Sequence, residues 1–375
     1  MKKVLFYFPR SAGHRLEYLH HLYMGAMSEK DNNYVFAVAK DFYFNRDTFN
    51  WPEASNISFY DIPDKYIKSV PNVLKSSYYR CRGLGASVKS IKPDEVVVVD
   101  MIEYVPFLPL FVPSSVKVSG IIYRIYLYEW STESISMKIQ DWLKYKIFST
   151  FRVYDRIFML NDSEAAIELN RRFKSSKFKY LADPVAVINS PERLSIREAF
   201  NIPEGNIILL HPGGMLPYKG TLEILEALLL LDKEKAKKIT VIFAGQVTKS
   251  IRERFFILFE KVKERVQVIL DEGFLPFEKL GGYFVECDWV LIPYKIKSQS
   301  SGVVGHAAYF KKPVIAVKGG LIGNNVEKYK LGVLLDDASP NSIKGILENL
   351  PSCNVQENKY VEIHSIEAFT NTILH

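Results

Sequence analysis

The stretch Ile207-Ile208-Leu209-Leu210-His211-Pro212-Gly213-Gly214-Met215-Leu216-Pro217-Tyr218-Lys219-Gly220, followed by a helical run over residues 221–231, decides the fold. An apolar strand, a glycine-containing loop with one lysine and a helix start bring backbone N–H groups and a positive charge to one place, which suits a phosphate. Two better-known phosphate loops fail here. A P-loop needs lysine followed by Ser or Thr after its glycines, whereas Lys219 is followed by Gly220. A dinucleotide-binding G-x-G-x-x-G is missing from every strand-to-helix junction that the pattern suggests. Lys219 read blandly is a solvated loop lysine, and Gly213 and Gly214 are ordinary turn glycines.

Downstream, short apolar runs and helical stretches alternate. Residues 239–245 (Ile-Thr-Val-Ile-Phe-Ala-Gly), 266–275 (ending Gly273-Phe274-Leu275) and 287–293 (Cys-Asp-Trp-Val-Leu-Ile-Pro) read as strands with their following turns. Ser300-Ser301-Gly302-Val303-Val304-Gly305-His306 opens a helix, Lys312-Pro313-Val314-Ile315-Ala316 a strand, and Gly319-Gly320 and Leu331-Gly332-Val333 close the series.

In this order the segments resemble the C-terminal domain of retaining glycosyltransferases of the GT-B fold, the glycogen-synthase-like and glycosyltransferase-4 (group 1) families. The loop at 213–220 resembles their Gly-Arg-Leu-x-Pro-x-Lys-Gly. The resemblance implies an α/β protein with two Rossmann-like, doubly wound domains facing each other across a cleft. It implies transfer of a sugar from a UDP- or GDP-linked donor to a glycan or lipid-linked acceptor in cell-surface polysaccharide synthesis, with no cofactor and no metal. Lys219 would neutralise the diphosphate. Gly213, Gly214, Ser300, Ser301, Gly302 and Val303 would approach the phosphates, Phe274 and Leu275 the base, and His306 the ribose. Two departures stand out. The family's two glutamates eight positions apart are here Ser298 and His306, and its diphosphate-binding arginine is Gly214. A catalytically degenerate binding module, and a GT-B-fold sugar-nucleotide epimerase, therefore stand as alternatives.

The first half shows the same alternation: apolar runs at 4–8, 34–38, 96–99, 116–122 and 157–160, with helical stretches at 13–27, 134–150 and 163–173. Continuous apolar strands between helices are the pattern of a parallel sheet covered on both faces. The polar stretch 189–204 follows Leu181-Ala182-Asp183-Pro184-Val185, so domains are expected at 1–186 and 187–355, with 356–375 crossing back to the first. Ligands of such sheets bind at the strands' carboxyl ends. There the loop Ser11-Ala12-Gly13-His14-Arg15 offers Gly13 for close approach and His14 as a catalytic candidate. Arg124, after the run 116–122, either meets an anionic group of the donor or pairs with Glu129 or Asp100. Glu103 is either a site acid or a helix-start acid.

At 375 residues the chain is comfortable for two domains. Lys+Arg exceed Asp+Glu by 7, which favours phosphorylated ligands and anionic surfaces, and no nucleic-acid-binding motif accompanies the excess. Cys81, Cys287 and Cys353 form no CxxC pair, so neither zinc nor a disulfide framework is indicated, and a reducing cytoplasm fits. The N-terminal apolar run stops at Pro9, short of a signal-peptide core, and no run approaches the ~18 residues that span a bilayer. The segment 135–152 places Ile139, Leu143, Ile147 and Phe151 at helical spacing among Lys138, Lys144, Lys146 and Arg152. Such a stripe packs on a sheet or lies on an anionic membrane; packing is the expectation, with the basic and aromatic rim left for peripheral membrane contact.

Overall fold

The computed structural model describes residues 1–67, 70–128, 134–188, 191–355 and 359–375. The chain divides into two units, Met1–Asp183 with Ile366–His375, and Pro184–Ser365. Each is built on one parallel sheet, because its central strands are apolar runs that must be buried on both faces.

The first unit holds β1 (Lys3–Phe8), β2 (Asn33–Val38), β3 (Ile57–Asp61), β4 (Glu95–Val98), β5 (Lys117–Ile122), β6 (Tyr154–Leu160) and β7 (Phe178–Leu181), in spatial order β3-β2-β1-β4-β5-β6-β7. Its main helices are α1 (His14–Ser28), α2 (Val73–Ile91), α3 (Ile135–Thr150) and α4 (Ser163–Phe173). The C-terminal helix Ile366–Leu374 returns to this unit and packs on α1, where Phe369 meets the ring of Tyr18 at 4.9 Å. Phe369 and Ile373 are as buried there as the strand residues around them.

The second unit holds β8 (Ile207–Pro212), β9 (Ile239–Ala244), β10 (Gln267–Asp271), β11 (Trp289–Ile292), β12 (Val314–Val317) and β13 (Gly332–Leu335), in order β10-β9-β8-β11-β12-β13. α5 (Thr221–Leu230), α6 (Arg252–Lys263), α7 (Phe277–Glu286), α8 (Gly302–Tyr309), α9 (Gly320–Lys328) and α10 (Pro340–Glu348) cover its two faces, each over its own apolar cluster. In both sheets the strand order reverses at the centre, between β1 and β4 and between β8 and β11. At such a switch point the loops leave in opposite directions and open a crevice at the carboxyl ends.

One sequence expectation is corrected. α3 forms where the periodicity placed it, yet of the expected stripe Ile139, Leu143 and Phe151 face solvent and Ile147 is only half-buried. Ile139 and Leu143 are 53% and 47% exposed, while Asp141, Tyr145 and Phe148 are buried. The inner face wins on ring volume: Phe148 stands edge-on to Tyr154 at 5.1 Å, and Tyr145 meets Phe173 and Phe178. Asp141 is tolerated inside because Lys144 Nζ donates to it at 2.8 Å.

Candidate functional site

The loop 213–220 leaves β8 at the second unit's switch point, and its shape is imposed by glycines. Gly220 sits at φ 74 against Pro293, where a Cβ would stand 2.4 Å from the carbonyl oxygen. Gly245, at φ 147 after β9, abuts Gly213, and a Cβ there would stand 2.3 Å from the Gly213 oxygen. Backbone bonds from Gly213 N to Ala244 O and from Met215 N to Gln246 O hold the loop to its neighbour. Gly245→Ala forces a side chain into that contact at a backbone angle L-residues avoid, at a cost of about 2 kcal/mol or more. We expect a lower melting temperature, and an unchanged one would mean that the Gly245–Gly213 contact relaxes to admit the side chain.

This geometry aims Lys219. Its Nζ lies 4.9 Å from the centroid of the Tyr294 ring and 3.3 Å from where a Cβ on Gly213 would stand. The charge is thus held over an aromatic face, beside backbone left bare by a glycine. Lys295 N donates to Tyr218 O, so the loop after β11 is stapled to the loop after β8 across the switch point. Lys295 Nζ is itself committed to Glu223 at 2.5 Å.

Sequence reasoning missed His211. It is fully buried at the end of β8, with Nδ1 2.7 Å from Leu291 O and Nε2 2.9 Å from Thr221 Oγ1. A carbonyl only accepts, so Nδ1 carries the proton and Nε2 accepts from the Thr221 hydroxyl. One neutral imidazole therefore ties β8, β11 and the first residue of α5 together around the loop. Burial pulls its pKa down to about 4. The sequence signal was faint: a polar residue inside an otherwise apolar strand.

α8 begins at Gly302 with Ser301 at its N-cap, and the Ser301 side chain makes no capping hydrogen bond. Gly302 is exposed, and a Cβ built on it would meet open space. Ser300 and Val303 flank this helix end, half-buried. His306 packs against Phe277 and Phe284, with ring centroids at 6.3 and 5.7 Å, and burial lowers its pKa to about 4. Its Nδ1 is buried without a hydrogen-bond partner among the described residues. Ser298 is fully buried. Leu275 packs on the apolar cluster beside α7, whereas Phe274 is 93% exposed and Gly214 half-buried. The structure thus gathers Gly213 and Lys219 with the turn after β11, and sets the residues of 273–275 and 300–306 on other elements of the same sheet.

In the first unit, Gly13 at φ 58 forms the N-cap of α1 and has open space at its Cβ position. His14 stands edge-on to Tyr18 and Tyr123 at 6.0 and 5.4 Å; desolvation and the adjacent Arg15 lower its pKa. Asp100 is taken by Arg15, through bonds of 2.9 and 2.6 Å, rather than by Arg124. Arg124 is half-buried beside Tyr123, and Glu129 lies outside the described residues. Glu103 is bridged by Arg10 at 3.0 Å and Arg80 at 3.2 Å. Asp183, past β7, accepts from the Tyr18 hydroxyl, and Glu17 nearby is raised to about 7 by burial and by Asp183. These acids and rings line the carboxyl ends of β1, β4, β5 and β7, and no spacing in the sequence links them.

A parallel sheet with a central switch point and a lysine held over a glycine turn is an arrangement that suits an anionic ligand. Residues 192–363 match the family described as glycosyl transferases group 1. Among curated proteins none matches the chain in sequence. Among solved structures, WaaG, a glycosyltransferase involved in lipopolysaccharide biosynthesis, is 14% identical, with 99% of this chain and 95% of that one covered at a TM-score of 0.64. Anabaena HepE in complex with UDP-glucose is 12% identical over 100% and 98%, at 0.68. MnaA of S. aureus with UDP is 13% identical over 100% and 95%, at 0.64. The fold is the GT-B glycosyltransferase fold, as the motifs implied.

Proposed function

We propose that this chain transfers a sugar from a nucleotide diphosphate donor, UDP- or GDP-linked, to a glycan or lipid-linked acceptor in polysaccharide synthesis, with retention at the anomeric carbon. The observation that carries the reading is Lys219 Nζ, fixed between Gly213 and the Tyr294 ring at the switch point of the sheet within the matched family segment. The bond from the anomeric carbon to the diphosphate oxygen breaks, and negative charge grows on that oxygen beside the ammonium. The acceptor hydroxyl attacks from the same face and gives its proton to the departing phosphate, so no enzymic nucleophile is needed. Gly213 and the N–H groups at the start of α8 add donors to the same anion, and no metal ion enters the reading. Gly13, His14 and Arg124 are assigned to the acceptor and the donor sugar. Unpaired Cys81, Cys287 and Cys353 support a reducing, cytoplasmic setting.

Calorimetric titration with UDP, GDP, ADP and their sugar conjugates, run in EDTA, tests this. One nucleotide is expected to bind, with at least ~10-fold weaker affinity in Lys219→Ala. Failure of every nucleotide to bind the wild type would sink the reading. A second reading, donor binding without turnover, is favoured by the burial of Ser298 and the packing of His306 on two phenylalanines at the positions where the family has glutamates. Binding with no transfer to any acceptor pool would select it, and an epimerised sugar nucleotide formed without acceptor would select the epimerase.

A further inference from the structure

Glu17, in the first turn of α1, is half-buried and makes no hydrogen bond or ion pair among the described residues. The charge that acts on it is a like one, Asp183 past β7, and the adjacent cation Arg15 is committed to Asp100. Asp183 is itself fixed: its N–H donates to Asn161 Oδ1 at 2.6 Å, and its carboxylate accepts from the Tyr18 hydroxyl. Helical spacing puts His14 one turn before both Glu17 and Tyr18. Tyr123, after β5, stacks on Tyr18 at 5.9 Å and stands edge-on to His14 at 5.4 Å. Its hydroxyl is buried near Asp183 and Asp100, and it too has no hydrogen-bond partner among the described residues. A carboxylate and a phenol left unanswered around one aspartate are a cost that a ligand offsets.

We propose that Glu17 reads the acceptor, its carboxylate taking hydrogen bonds from neighbouring hydroxyls of a neutral sugar ring while the Tyr123 hydroxyl makes a further one. A carboxylate only accepts, so the missing partner is a donor. A phosphate or a sugar acid is repelled by Glu17 and Asp183 together, although the chain carries a net charge of +7. A sugar ring brings several hydroxyl donors without charge, and its C–H faces suit the rings of His14, Tyr18 and Tyr123. On the transferase reading, on which this assignment rests, the acceptor is therefore a neutral sugar at its reacting end.

Saturation-transfer NMR of the full chain with methyl glycosides of glucose, galactose, mannose and glucosamine, at pH 8 and pH 6.5, tests this. At least one neutral glycoside is expected to give signals. Glu17→Gln should weaken its affinity at least ~10-fold, the scale of a hydrogen bond to a charged group, and Tyr123→Phe should weaken it less. Burial and Asp183 raise Glu17 to about 7, so the wild type should bind more tightly at pH 8 than at pH 6.5, and Glu17→Gln equally at both. His14 is lowered by burial and Arg15, and Tyr18 and Tyr123 are raised by burial, so none of the three gains or loses a full charge between these pH values. Glu17→Gln removes a like-charge contact, so its melting temperature should not fall. Signals that Glu17→Gln leaves unchanged overturn the assignment. So do signals from the glucosamine glycoside alone, which would mean that the acids read an ammonium. A wild type that binds a nucleotide but gives no glycoside signal overturns this assignment and leaves the transferase reading in place, whereas one that binds no nucleotide overturns both.

Discussion

Lys219→Ala is expected to lower the rate of sugar transfer at least ~100-fold, the scale of losing one preorganised charge donor. In the proposed transfer the ammonium would need no reorganisation as the donor bond breaks, because Nζ already lies over the Tyr294 ring beside the Gly213 turn. Arginine is not expected to rescue. The planar guanidinium spreads its charge over three nitrogens and does not place a compact point charge where the lysine Nζ stands. Lys219 is only half-buried, and its backbone bond from N to Leu216 O survives the substitution, so the melting temperature of the alanine variant should stay near that of the wild type. Steady-state kinetics with a matched donor and acceptor decide it, and an alanine variant with wild-type turnover would remove Lys219 from the chemistry.

The second large effect concerns stability. His211→Ala leaves Leu291 O and the Thr221 hydroxyl without partners and opens a cavity between β8, β11 and α5, at a combined cost of about 3 kcal/mol. The same residue makes stability depend on pH. In the unfolded chain a histidine titrates near 6.5, while burial keeps His211 neutral down to about 4. Below about 6.5 the unfolded chain accepts a proton that the folded chain refuses. Stability is therefore full above about 6.5 and falls toward pH 4, by about 3 kcal/mol for this residue alone. His364, fully buried with Nδ1 2.7 Å from Tyr360 O, is also lowered to about 4 and acts with the same sign. Urea titrations at pH 7.5, 5.5 and 4.5 should show a shallower acid slope in His211→Ala than in the wild type. Equal slopes would mean that His211 charges freely in the folded protein.

Much of this architecture could be read from the chain because central parallel strands are continuous apolar runs. β3 and β7 could not. They are the edges of their sheet, half exposed, and their mixed sequences give no such run. α2 hid behind its serines, arginines and two glycines. For α3 the period was visible but not its orientation: two faces compete, and the one containing Asp141 looks like the worse candidate for burial until Lys144 is seen to pair with it. At the site, the loop 213–220 was legible because all its parts are contiguous. His211 to Leu291, Arg15 to Asp100 and Tyr18 to Asp183 are separated by 80, 85 and 165 positions, and only the fold brings them together. The surroundings of His306 and Phe274 were not legible either. One is packed on phenylalanines and the other stands almost fully in solvent, which a position in an alignment does not reveal.

The return of the helix Ile366–Leu374 to the first unit has a consequence for how the protein is made. During synthesis residues 1–183 precede the second unit, and Tyr18 and its neighbours on α1 lack Phe369 and Ile373 until the whole of the second unit has been made. The second unit, continuous from Pro184 to Ser365, can close its core earlier in its own synthesis than the first can. The unit translated first is therefore the last to be completed, and it waits with an apolar groove along α1 open to chaperones and proteases.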